Sequence, residues 1–285
     1  MATIIIPIDF TEISENTIAY GIEIAKDFGY PIRLLHVIDN YDYSVGYGTH
    51  DTIPNPEVSV ELLEEMKKQS AESFNRLESQ LKEKYKEQLP PLETKTAVGF
   101  YTQKVQEEVK DENDYIMLTG KIHEDFFSRL ISDDTNKIVR EAPCPVWVVP
   151  PESKYESIRK IVYASDYHEE DIGTLKRLIS LAAVYGARIH ALHIVKNEDF
   201  NVKAKQVGFQ EMIREKVGYD NMEVQVTMTS EGIEKLDEFA GEMDAQLIVM
   251  LKENKTFLDR ILEGSSTKKL LMHASLPVLI YHEQT

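Results

Sequence analysis

The chain has one cysteine in 285 residues, Cys144. That excludes an intrachain disulfide framework and fits a reducing, cytoplasmic setting. No apolar run approaches the roughly 18–20 residues that a membrane-spanning helix needs. The opening segment MATIIIPIDF has no basic region and enters a strand pattern directly, so no signal peptide is expected. Cations are scarce: 32 Lys and Arg stand against 49 Asp and Glu, a formal net charge of −17. A chain this acidic repels nucleic acid and anionic membranes unless a basic patch intervenes. The lysines at 67–68 and 82–86 interleave with glutamates at helix-pair spacing and read as a solvated helix face. No nucleic-acid partner and no membrane partner is expected.

Several catalytic signatures are missing. There is no G-x-x-x-x-G-K-[ST] loop, and no G-x-G-x-x-G opens a helix after the first strand. No G-x-S-x-G elbow occurs. The G-x-G at Gly46-Tyr47-Gly48 falls in a Tyr-rich loop. His123-Glu124-Asp125 and His168-Glu169-Glu170-Asp171 look metal-like in composition but lack helix-face histidine spacing. They read as loop or helix-start residues, and no metal is expected. Cys144 stands between two prolines at the entrance to a core strand, a structural setting and not a catalytic one.

What is present is one α/β unit written twice. The run IIIPIDF places Asp9 after β-branched residues, and KIVYASDY places Asp166 in the same setting. Each aspartate is 27 residues ahead of a histidine that ends a strand, His36 in IRLLHV and His193 in IHALHI. Thr119 to Pro145 and Leu251 to Pro277 both span 26 residues, linking an apolar strand to a proline-led closing strand. Matched spacing over such a period marks a domain duplication. The two domains are expected at 1–150 and 158–285, joined by PPESKYES (150–157). The first copy carries −12 of the charge and the second −5.

Short, mostly apolar, non-alternating strands suit a parallel sheet covered on both faces. They are predicted at 3–9, 32–38, 92–98, 114–119 and 145–149, and again at 160–165, 188–195, 223–229, 246–251 and 277–281. Helical patterns alternate with them at 14–28, 60–88, 103–111 and 133–141, then at 168–185, 203–217, 233–241 and 265–274. The fold class is therefore α/β, each domain a five-stranded parallel sheet with helices on both faces and right-handed crossovers. The first copy is longer mainly through NYDYSVGYGTHDTIPNPE (40–57), which reads as a surface insertion or as a lid. Ligands of open α/β sheets sit beyond the carboxyl ends of the strands, at the switch point of strand order. That places Asp9, Val37 and Thr119 on one rim, and Asp166, Ile194 and Leu251 on the other.

These residues resemble the universal stress protein family in tandem form, over nearly the whole chain. The marks are PIDFTE and ASDYHE, the strand ends LLHV and ALHI, the strand LIVM and the closing PCPVWVV. The resemblance implies Rossmann-like domains of the adenine nucleotide alpha hydrolase-like type. It also implies that Asp9, Val37, Asp166 and Ile194 lie where a base or ribose would. Nucleotide-binding members carry G-x2-G-x9-G-[ST] after the fourth strand, where small residues bare backbone N–H groups to phosphate. The second copy reads Leu251, Asn254, Gly264, Ser265, so only Gly264-Ser265-Ser266-Thr267 survives. The first reads Thr119, Ile122, Ser132, Asp133, and starting from Gly120 instead still leaves Asp133 and Asp134 at the phosphate seat. Carboxylates there suit the helix dipole and repel phosphate.

The expected function is a non-enzymatic regulatory or interaction module of the stress response, with unidentified protein partners and at most weak ATPase activity. The alternative is an ATP/ADP sensor with one degenerate site in the C-terminal half. Closing strands 145–149 and 277–281 are expected to pair within the chain as a pseudo-dimer, with homodimerisation of whole chains as a further option. For Asp9 and Asp166 a competing reading is helix capping, and for Gly264-Ser265 an ordinary N-cap.

Overall fold

The computed structural model describes residues 2–39, 56–120, 134–135, 137–195, 197, 200–228, 235–252 and 275–283. The insertion over 40–55 and the segments 121–133 and 253–274 lie outside them. The chain divides into two compact units, Met1–Leu118 with Leu130–Cys144, and Thr119–Arg129 with Pro145–Thr285.

The first unit is built on β1 (Ile4–Pro7), whose four residues are all buried. A strand covered on both faces must satisfy its polar backbone inside the sheet, which the β-branched run allows. It pairs in parallel with β2 (Ile32–Ile38), Ile6 opposite Leu34, and with β4 (Tyr115–Thr119), Ile4 opposite Tyr115. β2 pairs with β3 (Leu92–Val98), so the order is β3-β2-β1-β4. The order reverses at β1, which puts the switch point between β1 and β4. Helix α1 (Glu12–Phe28) follows β1 and ends at Gly29, which takes φ 67° and donates its N–H to the Ala25 carbonyl. That left-handed stop favours glycine. Gly21 of α1 lies on the sheet so closely that a Cβ would stand 2.5 Å from Ile6 Cδ1. Helix α2 (Pro56–Tyr85) turns Phe74 and Leu81 inward, and α3 (Tyr101–Glu107) buries Thr102 and Val105. Residues 134–135 and 137–141 are helical.

The second unit repeats the plan. β6 (Lys160–Ala164) pairs in parallel with β7 (Arg188–Val195) and β9 (Leu247–Lys252). β8 (Met222–Met228) lies outside β7 and β10 (Val278–His282) outside β9. Helices α4 (Glu170–Tyr185), α5 (Phe200–Lys216) and α6 (Lys235–Glu242) make the crossovers. Gly186 ends α4 at φ 62°, as Gly29 ends α1. The closing strand of the first repeat, β5 (Val146–Val149), clusters with this unit and pairs antiparallel with β10, Trp147 opposite Leu279. The five strands β6–β10 run parallel, and β5 is the antiparallel exception.

The strands and helices predicted from the sequence are found within a few residues of these limits, except the helix at 265–274, which lies outside the described residues. No described helix is long and apolar enough to cross a membrane. Trp147 is 1% exposed and sits at the centre of the β5–β10 pairing. Trp147→Ala should cost about 3–5 kcal/mol. Urea unfolding followed by far-ultraviolet circular dichroism measures this, since the substitution removes the chain's one tryptophan.

Candidate functional site

Both units place an aspartate just past the central strand, on the rim where the strand order reverses. The same constant offset that carries Asp9 onto Asp166 carries His36 onto His193 and Val37 onto Ile194. The structure keeps these correspondences, with Val37 and Ile194 each half-buried near the end of the strand beside β1 or β6. It treats the two aspartates differently.

In the first unit, Asp9 is absorbed by its own turn. Its Oδ1 accepts hydrogen bonds from Thr11 N–H (3.1 Å), Thr11 Oγ1 (2.6 Å) and Ser14 Oγ (2.5 Å). Ser14 is buried in the first turn of α1. Burial alone would raise the Asp9 carboxyl; the hydrogen bonds from Ser14 and Thr11 outweigh it and hold the group below the usual carboxylate value. Asp9 thus braces the turn that leads into α1 without capping the helix, whose N-cap is Thr11. Asp134 is engaged too, accepting from Thr102 Oγ1 at 2.8 Å. Tyr101 beside it has its phenol pushed up by burial and by the carboxylates of Asp134 and Asp9. Asp39 accepts the Tyr101 N–H at 3.4 Å. The rim of this unit is thus acidic, and three of its carboxylates, Asp9, Asp39 and Asp134, are tied into the scaffold. Asp133 lies outside the described residues.

In the second unit, the buried carboxylate has moved. Asp171 occupies the position of Ser14 and is 2% exposed. It accepts from Tyr163 OH (2.5 Å), Ser165 Oγ (2.7 Å) and His168 N–H (3.0 Å). Tyr163 and Ser165 stand where the first unit has Ile6 and Ile8, so the donors changed along with the acceptor. Asp166 is relieved of the turn. Among the described residues it faces His193 Nδ1 at 3.4 Å. The same Nδ1 lies 2.9 Å from the Ser165 carbonyl, which fixes that nitrogen as the N–H donor.

A second duplicated feature sits beside the aspartates. Phe10 and Tyr167, one residue further on, adopt φ 62° and 59°. Positive φ in a bulky residue is costly and persists only when the surroundings impose it. Here each ring is wedged between the strand-end histidine and a phenylalanine of the next helix. Phe10 lies 4.8 Å from His36 and 4.9 Å from Phe74; Tyr167 lies 4.8 Å from His193 and 4.7 Å from Phe209. Tyr167 also donates to the Gln225 carbonyl, and burial, with the nearby Asp171 charge adding to it, pushes its phenol up. His36 instead reaches Ser70 (2.9 Å), which reaches Thr96 (2.6 Å). Neither this wedge nor the Asp171 network was foreseen; laying Ser14 over Asp171 would have pointed to the second.

The residues Gly264, Ser265, Ser266 and Thr267 lie outside the described residues, as does His123-Glu124-Asp125. Leu251 is 6% exposed inside β9, paired with Tyr281. At the matching end of β4 the chain has Gly120, whose N–H meets the Val149 carbonyl at 2.6 Å and whose Cβ would fall 3.2 Å from Pro150 Cα. Close backbone approach thus accounts for that glycine. Glu169 pairs with Lys216 at 2.8 Å, so the acidic run after His168 serves helix α4. Among the described residues no group of three or more His, Cys, Asp or Glu is arranged to hold a metal.

The sequence model of the Universal stress protein family matches residues 1–150 and again 157–282. A curated universal stress protein of Methanocaldococcus jannaschii is 30% identical over 138 residues, 43% of this chain and 81% of that protein. A crystal structure of a universal stress protein from Archaeoglobus fulgidus is similar in fold over 99% of this chain and 96% of its own, with TM-score 0.72 and 16% identity. A shorter universal stress protein from the same organism, solved in complex with dAMP, covers 44% of this chain and 99% of its own at TM-score 0.35 and 19% identity.

Two substitutions separate the roles of the two turns. Ser14→Ala should let the Asp9 carboxyl rise towards its usual value, read by carboxyl-carbon NMR titration. Asp9's lowered value contributes stability that is present above the ordinary carboxylate pKa of 3.8 and is lost as pH falls through the folded value, so the variant should flatten the acid limb of stability. Asp171→Ala strands three donors in a buried site and should cost about 2–5 kcal/mol in urea unfolding.

Proposed function

Because the chain belongs to the universal stress protein family, we infer that it is a regulatory module of the stress response that works by protein contact and not by turnover. It is organised as domains 1–150 and 158–285. The observation that carries this reading is the antiparallel pairing of β5 with β10. These are the closing strands of the two repeats, and pairing equivalent strands antiparallel is the local geometry of a two-fold interface. A pseudo-dimer inside one chain leaves other surfaces for partners or for a second copy.

A second reading follows from the unequal aspartates. The C-terminal half is the half fit to hold an adenine nucleotide, with Asp166 and Ile194 at the base or ribose and Gly264, Ser265, Ser266 and Thr267 at phosphate. Asp171 supports it by carrying the turn that Asp9 must carry for itself in the other half. In the N-terminal half Asp9 is spent on its own turn, and the Asp134 carboxylate stands near the phosphate seat.

The test is direct. Purified protein is denatured and the supernatant assayed for ATP and ADP, and thermal unfolding is followed with added Mg-ATP or ADP. At a hundredfold excess over Kd a bound nucleotide adds about 2.7 kcal/mol, a shift of several degrees. Asp166→Ala and Ser265→Asp should remove that shift, whereas Asp9→Ala and Asp133→Ser should keep it; the reverse pattern overturns the choice of half. No release and no shift removes the nucleotide reading. ATP hydrolysis by the wild type that the Asp166 variant lacks removes the non-enzymatic one.

A further inference from the structure

The two repeats differ at one more matched position, on the outer strands. In the first unit Arg33 of β2 stands opposite Glu93 of β3. Its guanidinium meets Glu93 at 2.8 Å and the buried Glu108 at 3.4 Å, and Lys95 meets Glu108 at 2.7 Å. Two cations and two carboxylates balance, and Arg33 keeps its charge at every physiological pH.

In the second unit the same offset puts His190 where Arg33 stands. It lies opposite Glu223 of β8, as Arg33 lies opposite Glu93. The partners have been thinned. Gln225 replaces Lys95 in the register, and Ala240 stands at the same distance ahead of β9 as Glu108 does ahead of β4. His190 is 5% exposed, and its Nδ1 has no hydrogen-bond partner among the described residues. The Glu223 carboxylate is 3.6 Å away and already committed, to Arg188 on Oε1 at 3.2 Å and to Gln225 on Oε2 at 3.2 Å. The charged groups around the imidazole are Glu223 on β8, Arg188 on its own strand and Lys160 on β6. Lys160 is held in turn by the Met243 carbonyl (2.8 Å) and Asp244 (3.7 Å), just after α6.

We propose that His190 is an acid sensor built into the outer edge of the C-terminal unit. Protonation places a third cation in a buried spot where Arg188 and Lys160 already stand and where Glu223 is shared. The β7–β8 edge then loosens, while the β2–β3 edge, with the permanently charged Arg33, does not respond. Burial, ahead of the two cations, favours the neutral imidazole against the pull of Glu223, so its titration lies below the ordinary 6.5. The edge is therefore at full strength above that pH and weakens as pH falls through the folded value. The response falls in the window where ordinary histidines titrate.

Hydrogen exchange of the full chain, compared between about pH 7.5 and pH 5 and corrected for intrinsic rates, reads this edge by edge. Peptides covering Arg188–Val195 and Met222–Met228 should lose protection in acid. The loss at pH 5 should be several-fold, with a ceiling of about thirtyfold set by the distance of pH 5 from 6.5. Peptides covering Ile32–Ile38 and Leu92–Val98 should keep theirs. His190→Gln, neutral at every pH, should abolish the difference. An equal response of both edges, or a wild-type response in His190→Gln, overturns the proposal. If that variant does not fold, the wild-type imidazole NMR titration decides alone: a midpoint at or above 6.5 overturns it.

Discussion

A strand buried on both faces must find every backbone partner inside its own sheet, and β1 and β6 are such strands. Everything at the rim follows from how they meet that demand. Each recruits one parallel neighbour from the next strand in the chain and another from much later. The strand order reverses at that point, and the residue that leaves the strand there is the aspartate. A residue's chance of meeting a ligand is set here by backbone pairing before any side chain is considered.

The fold was legible for this reason. Buried parallel strands announce themselves as short, mostly apolar runs without alternation, and IIIPID and KIVYAS have that form. The helical patterns that alternate with them, and the spacing repeated between the two copies, placed the helices. The rim was less legible, because its chemistry depends on which neighbour satisfies a carboxylate. Asp9 and Asp166 look alike in the sequence. What separates them is whether a hydroxyl or a second carboxylate stands in the first turn of the next helix, and whether the strand supplies Ile or Tyr and Ser beneath it. Phe10 and Tyr167 were opaque for another reason: a left-handed aromatic has no sequence signature, since it is imposed by a histidine and a phenylalanine brought from two other elements.

The outer strands show the same principle at work on charge. A cross-strand pair opposite a glutamate is kept in both halves, but one half solves it with a permanent cation and a second acid, the other with an imidazole and fewer partners. The core tolerates such changes because strand pairing, not ion pairing, holds the sheet. Duplication frees one copy to vary its polar contacts while the scaffold spacing stays fixed.

The displaced carboxylate also constrains how the halves could have drifted apart. Placing an aspartate at position 14 alone would set two carboxylates against one another on a single turn, over Ile6 and Ile8, which offer no donor. Removing Asp171 alone strands the hydroxyls of Tyr163 and Ser165. Three sites must change together, since the strand donors without the acid are left as unpaired as the acid without the donors. The first turn after each central strand is therefore an epistatic unit, and once crossed, the divergence of the two repeats acts as a ratchet that single substitutions do not reverse.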